Sequence, residues 1–108
     1  MSPFDPYTSF YSVDIAIAHL AARRFEEAIE WADRALHEQP RMVQTMRVKI
    51  VSLAHLGHLD EARAELSRVL AIDPKLTIAG FGEVVHFAAP EVLELFVTGL
   101  RLAGLPEG

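Results

Sequence analysis

Apolar residues return along this chain at helical intervals, in segments that pair off by a shift of 34 positions. Residues 25–40 laid over residues 59–74 match both in identity and in apolar character. The identities are Glu27 with Glu61, Ala28 with Ala62, Arg34 with Arg68, Leu36 with Leu70, and Pro40 with Pro74. A period of this length is typical of helix pairs that bury their apolar faces only against neighbouring pairs. We therefore expect an all-α protein that stacks two helical hairpins.

The same pattern predicts where each helix begins and ends. Helices are expected over about residues 6–22, 25–38, 41–56, 59–72 and 90–103, with a short one over Leu76–Phe81. Gly57 is expected to close the third helix in the left-handed conformation, which glycine adopts at little cost. Arg23 holds the matching place in the first hairpin, so a non-glycine residue at positive φ is expected there, at a cost of about 1 kcal/mol.

The period ends after Pro74, and we expect the chain to divide there. Its parts are a lead-in at residues 1–8, two repeats at residues 9–74 (about 9–42 and 43–76), and a C-terminal segment at residues 77–108. The period would place a small residue where the chain has Phe96. The last helix is expected to cap the open end of the second hairpin. The alternative is a detachable segment that occupies the groove or docks elsewhere.

The composition of the chain excludes several classes of function. Its length of 108 residues is typical of a single domain. Cysteine is absent, which excludes disulfides and thiolate chemistry. A net charge of −5 argues against nucleic acid, which is bound through clustered Lys and Arg. No signal peptide is visible and no apolar run approaches the roughly 20 residues that cross a membrane, so a cytoplasmic location is expected. The apolar content of 51% is high, and we expect part of it to face a partner.

The hairpins resemble tetratricopeptide repeats over about residues 9–74. The resemblance lies in the second helix of each pair, whose small residues and closing proline are Ala28 and Ala62, Ala35 and Val69, and Pro40 and Pro74. It implies a right-handed superhelix whose concave face is lined by the first helix of each pair. Lys49 departs from the family pattern, which usually has an apolar residue at that place.

A narrower resemblance covers the two ends of the chain. Residues 2–6 and 99–107 look like the C-terminal repeat region of bacterial proteins with a class III adenylate cyclase or transcriptional-regulator domain upstream. This resemblance implies a regulatory module, an excerpt of a larger signalling protein. None of the cyclase's metal or nucleotide chemistry lies within these 108 residues, so no catalytic role is implied.

The family resemblance places a binding face on the concave side of the stack. Its candidate residues are Phe10, Val13, Ile17, Leu20, Gln44, Arg47, Val51 and His55. Most of this set is apolar and Arg47 is its one arginine, so a clamp for a peptide's terminal carboxylate is not expected. The face better suits an apolar helix or extended peptide that brings one acidic group to Arg47. The alternative occupants are the N-terminal segment and a second copy of the chain.

Candidate residues for catalysis or metal binding are few and poorly placed. His55 and His58 stand three apart, but Gly57 between them spreads the two rings across a turn. Asp14 and His19 lie about 140° apart around a helix axis, so they cannot belong to one triad. No glycine-rich phosphate loop is present. We therefore expect a non-enzyme that uses neither a metal nor a cofactor.

Two functions remain after these exclusions. The first is an interaction module that binds a protein segment in the concave groove, from a partner or from an upstream domain of the same protein. The second is a structural role, in which the apolar excess pairs two short stacks into a homodimer. Fewer than three repeats leave apolar surface uncovered, which makes such pairing physically attractive.

Overall fold

The computed structural model describes residues 8–79 and 90–107, with only the backbone described for residues 8–11. These residues form five helices and no strand: α1 (Thr8–Ala21), α2 (Phe25–Glu38), α3 (Val43–His55), α4 (Leu59–Ile72) and α5 (Pro90–Ala103). The predicted all-α repeat fold is confirmed. Residues 78 and 79 are also helical, whereas positions 80 and 81 of the predicted short helix and the expected start of α1 lie outside the described residues.

Alanines allow the helices of the two hairpins to pack closely. Ala28, Ala32 and Ala35 on α2 and Ala62 on α4 are fully buried. A helix that presents only a Cβ at these positions can approach its neighbour more closely than one with long side chains. The most enclosed helix is α3, which packs against α2, α4 and α5. It therefore forms the centre of the described part of the molecule.

The turns that end α1, α3 and α5 share one hydrogen-bond pattern. In each, two N–H groups donate to carbonyls three and five residues earlier: Arg23 to Leu20 and Arg24 to His19, Gly57 to Ala54 and His58 to Leu53, Gly104 to Arg101 and Leu105 to Leu100. This is the Schellman motif, which needs one residue in the left-handed region. That residue is Arg23 (φ 62°), Gly57 (φ 87°) or Gly104 (φ 102°), so the predicted positive φ of Arg23 is confirmed.

Lys49 is accommodated on α3 by carboxylates from two neighbouring helices. Its Nζ lies 2.8 Å from Asp33 Oδ1 on α2 and 3.8 Å from Glu65 Oε1 on α4. The same oxygen of Glu65 accepts a hydrogen bond from Arg68 at 2.9 Å. A lysine can replace the usual apolar residue because these neighbours supply opposite charge at the position where its ammonium group lies.

The last helix does not continue the repeat. If α5 were the first helix of a third repeat, it would pack mainly on α4. In the same way α3, the first helix of the second repeat, contacts the preceding repeat mainly through α2 and only slightly through α1. Instead, α5 packs mainly on α3 and makes smaller contacts with α4 and α1. It therefore lies mainly against α3, the first helix of the second hairpin.

The C-terminal tail holds the far end of α5 to the segment that follows α4. The N–H groups of Ile78 and Ala79 donate to the carbonyls of Pro106 and Glu107, at 2.9 and 3.0 Å. Ile78 and Leu105 also belong to one buried apolar cluster. We call residues 78–79 and 105–107 the C-terminal clasp, because together they join the ends of two helices.

Candidate protein-interaction site

The predicted binding face lies on α1 and α3, and α5 packs against α3 and makes smaller contacts with α1. Three of its residues are buried: Val13, Leu20 and Val51. Ile17, Arg47 and His55 are half-buried, and Gln44 is exposed. The side chain of Phe10 lies outside the described residues. At Val51 and His55, this face is in contact with the chain's own last helix.

At Gly99, α5 approaches the backbone of α3. A Cβ added to Gly99 would lie 2.8 Å from Val51 Cα and 2.7 Å from Val51 Cγ1. Carbon atoms do not approach that closely without strain, so any residue larger than glycine would push the two helices apart. A glycine inside a helix costs about 1 kcal/mol relative to alanine. Here the close helix packing offsets that cost.

His55 ties the first half of α5 to the end of α3. Its Nε2 donates to the backbone carbonyl of Leu95 at 2.8 Å, which fixes a hydrogen on Nε2 because a carbonyl can only accept. The ring of Phe25 stacks on His55, with 4.9 Å between centroids and planes 8° apart. Since His55 meets Leu95 and Val51 meets Gly99, the two helices run antiparallel.

The face that α5 turns toward the hairpins is a single apolar stripe. Its buried members are Leu95, Phe96, Gly99, Leu100 and Ala103. Their spacing of one, three, one and three residues keeps them on one side of a helix. An amphipathic helix that lays such a stripe into an apolar groove is a common mode of protein recognition. The buried side of α5 is thus the apolar side of an amphipathic helix, packed against the hairpins.

Charged residues line a cavity beside the first half of α5. The cavity has a volume of about 290 Å³ and lies between the turn after α1, the end of α3 and α5. Its lining residues are Arg23, His55, Glu91, Glu94, Leu95 and Thr98. The carboxylates belong to α5 and the arginine belongs to the hairpins, so the two sides of this contact carry opposite charge.

Arg47 already has a negative charge near it within the chain. Burial lowers the pKa of its guanidinium, and the charge of Asp73 acts in the opposite direction. Arg47 nevertheless carries its positive charge at neutral pH, because a guanidinium group is not deprotonated in proteins. The acidic group that we expected a partner to bring to Arg47 therefore has an intramolecular counterpart in Asp73.

Little of the described surface suggests any other kind of site. Within residues 8–79 and 90–107, no group of three or more potential ligand side chains could hold a metal ion. None of the described helices combines the length and apolar character that a membrane span requires. Leu102, at 46%, is the one large apolar side chain of the described part that is exposed. The apolar excess is therefore mostly buried there, partly beneath α5.

The sequence offers occupation of this face by the C-terminal segment only as the alternative to a cap. Gly99 was the available signal, because an isolated glycine within a helical pattern often marks a close approach of another backbone. The sequence pattern places His55 on the face, but its carbonyl partner at Leu95 lies 40 residues away and leaves no local signal.

Two hairpins with matched turns and alanine-rich contacts define a helical-repeat protein. The chain belongs to the tetratricopeptide repeat family, whose model matches residues 13–76, more than half of the chain. Repeats of this family generally mediate protein–protein interactions, and the family is typically non-catalytic.

Two curated relatives are mammalian proteins named "FK506-binding protein-like", from Rattus norvegicus and Homo sapiens. Each is 33% identical to this chain over 73 residues. The match covers 68% of this chain and 21% of each relative, so the chain spans about a fifth of the length of these relatives. No solved structure matches the chain. These comparisons give no support to the narrower resemblance to bacterial signalling proteins.

Proposed function

We propose that this chain is a non-catalytic protein-interaction module whose inner face, on α1 and α3, binds an amphipathic helix. The placement of α5 is the observation that carries the proposal. This face buries the apolar stripe of α5, approaches its backbone at Gly99 and hydrogen-bonds its carbonyl at Leu95. A face that holds one helix by these contacts has the chemistry to hold another with the same pattern.

The occupied face makes the module regulatory. A helix joined to its own receptor competes at an effective concentration that can reach the millimolar range, so a partner binds only when it outcompetes α5. The apparent affinity for that partner is reduced by the fraction of molecules whose face is free. We place the module within a longer cytoplasmic signalling protein, which is compatible with relatives about five times the length of the match.

Self-association through the apolar excess has less support. Of the described residues, only Leu102 offers an exposed large apolar side chain. A stable homodimer interface needs a contiguous apolar patch, and one such residue does not supply it.

Photo-crosslinking from the inner face tests the proposal. A benzophenone side chain at Gln44, which is exposed on the same stripe of α3 as Val51, should capture a partner from a lysate of the native organism. The same group at Ser67, exposed on α4, is the matched control. Capture should increase when Leu105→Ala loosens the C-terminal clasp. Equal capture from both positions, or none from position 44 in either background, would contradict the proposal.

A further inference from the structure

We infer that the partner helix accepted by this face carries a central glycine and an acidic first half, in the pattern Glu-x-x-Glu-Leu-Phe-x-x-Gly-Leu. This inference rests on the proposed function and names the chemistry of the partner. Three features of the packing between α5 and the hairpins support it: a steric limit, a hydrogen bond that sets the register, and charges of opposite sign that line one cavity.

The steric limit lies at Gly99. One of the atoms that an added Cβ would overlap is Val51 Cα, at 2.8 Å, which is backbone and cannot rotate away. Nor can α3 move as a whole, because α2 and α4 pack against its other sides. A helix with a larger residue at this position must therefore move outward, which would uncover Leu100, now fully buried.

The hydrogen bond fixes how far along the groove the helix lies. His55 Nε2 donates to the carbonyl four residues before the glycine, that of Leu95, at 2.8 Å. A helical carbonyl can accept this second bond because it has two lone pairs. His55 is held in place by the stacked ring of Phe25. A helix satisfies both contacts at once only when its glycine lies opposite Val51.

The charges that line the cavity beside α5 determine which charge the first half of a partner helix should carry. Glu91 and Glu94 of α5 line the same cavity as Arg23 and His55 of the hairpins. A partner with lysines at these two places would bring positive charge against Arg23 and would be repelled. A partner with carboxylates is attracted, and the attraction weakens as salt is added.

Peptides titrated into an opened receptor test this inference. The receptor is the full chain with Gly99→Leu, in which α5 should no longer fit its own groove, and the wild-type chain is the comparison. The probe is a fluorescein-labelled synthetic peptide with the sequence of residues 90–107. It should bind the opened receptor about tenfold more tightly than the wild type, because the competing helix is weakened.

A series of variant peptides then distinguishes the effects of the glycine and of the charges on binding affinity from the effect of general hydrophobicity. The Gly99→Ala peptide should bind the opened receptor about tenfold more weakly, and the Glu91→Lys, Glu94→Lys peptide about threefold more weakly at low salt. The Leu102→Ala peptide is the control and should bind within about twofold of the natural sequence, because Leu102 is exposed on α5. Circular dichroism of each free peptide corrects for differences in helix content.

The outcomes distinguish the inference from the proposed function. If no peptide binds either receptor, the proposed function fails. If the natural and Gly99→Ala peptides bind equally well, the function stands and the inference fails. If light scattering shows a dimer of the opened receptor that the peptide does not dissociate, a second copy is the occupant and the inference fails as well. If Gly99→Leu does not fold, the same peptides are titrated into a second receptor, the full chain with Leu105→Ala. This substitution loosens the C-terminal clasp and leaves the residues of the groove unchanged.

Discussion

The two sides of α3 are packed by different means. Toward α2 and α4, contacts come from elements related by the 34-residue period, and even a lysine is accommodated between Asp33 and Glu65. Toward α5, the contacts have no counterpart elsewhere in the described structure, and Gly99 leaves no room for a single added carbon. The inner side of α3, toward α5, therefore depends on the absence of a side chain at Gly99, whereas the outer side, toward α2 and α4, accommodates even Lys49. Such a dependence suits a segment that a partner can replace.

The substitution Gly99→Ala is the most direct test of the difference between the two sides of α3. The added Cβ overlaps Val51 Cα, so we expect the free energy of unfolding to fall by about 2 kcal/mol, even after the gain in helix propensity of about 1 kcal/mol. Urea unfolding followed by circular dichroism measures the change. Thr98→Ala, at the exposed neighbouring position, is the control and should change stability by less than about 0.5 kcal/mol.

An unchanged stability of Gly99→Ala would mean that α5 can shift outward at no cost. In that case the inner side would be as tolerant as the outer one, and the distinction between the two sides of α3 would disappear.

The outer side is tested by Lys49→Met. Removing the lysine leaves Glu65 buried with Arg68 as its remaining cation, and Glu65 Oε2 has no hydrogen-bond partner in the structure. We expect a loss of about 1 to 2 kcal/mol, which is less than for a fully buried pair because Asp33 and Lys49 are partly exposed.

The double variant Lys49→Met, Glu65→Met should recover most of that loss, since an apolar pair avoids the burial of an unpaired charge. A double-mutant cycle in urea isolates the interaction between the two residues. If the double variant is less stable than either single one, Glu65 has a structural role beyond its contact with Lys49.

The turns show what could be predicted from the sequence. The period and the place of Gly57 predicted a left-handed residue at Arg23, because the turn is local and its geometry repeats. Helix bounds could be predicted for the same reason. The apolar stripe of each helix, its glycines and its prolines all lie within a few residues of the features that they determine.

The position of α5 could not be predicted in this way. Its stripe predicts a helix with one buried side but does not say which surface buries it. That choice depends on the fit between Gly99 and Val51, which are 48 positions apart and have no repeated counterpart. Lys49 is a similar case, because its two carboxylate neighbours lie on other helices.

The substitution Arg23→Gly tests whether the turns that close the first helices of the two hairpins differ in backbone strain. At φ 62° an arginine is strained in a way that Gly57, at φ 87°, is not. We expect the substitution to stabilise the protein by about 1 kcal/mol and Gly57→Ala to destabilise it by a similar amount. Melting temperatures of the two variants provide the measurement. A lower melting temperature for Arg23→Gly would mean that the turn after α1 gains more from the arginine side chain than it loses through the strained backbone.

The smallest expected effect concerns the exposed end of the clasp. Arg101 donates from Nε and Nη2 to the two carboxylate oxygens of Glu107, at 2.8 and 2.9 Å. These hydrogen bonds lower the pKa of Glu107 in the folded chain. A carboxylate with a lowered pKa stabilises the fold above its unfolded pKa, and this contribution is lost as the pH falls through the folded value. Any such contribution should therefore disappear only in acid.

A carbon-detected NMR titration of the Glu107 carboxyl should give a midpoint below the usual range for glutamate. Arg101→Gln should return that midpoint to the usual range while leaving the stability at neutral pH almost unchanged, because both side chains are exposed. The backbone bonds from Ile78 and Ala79 and the burial of Leu105 then account for the clasp. A large loss of stability in Arg101→Gln would show instead that a surface ion pair holds α5 in place. The inner side of α3 would then depend on a contact far from the groove.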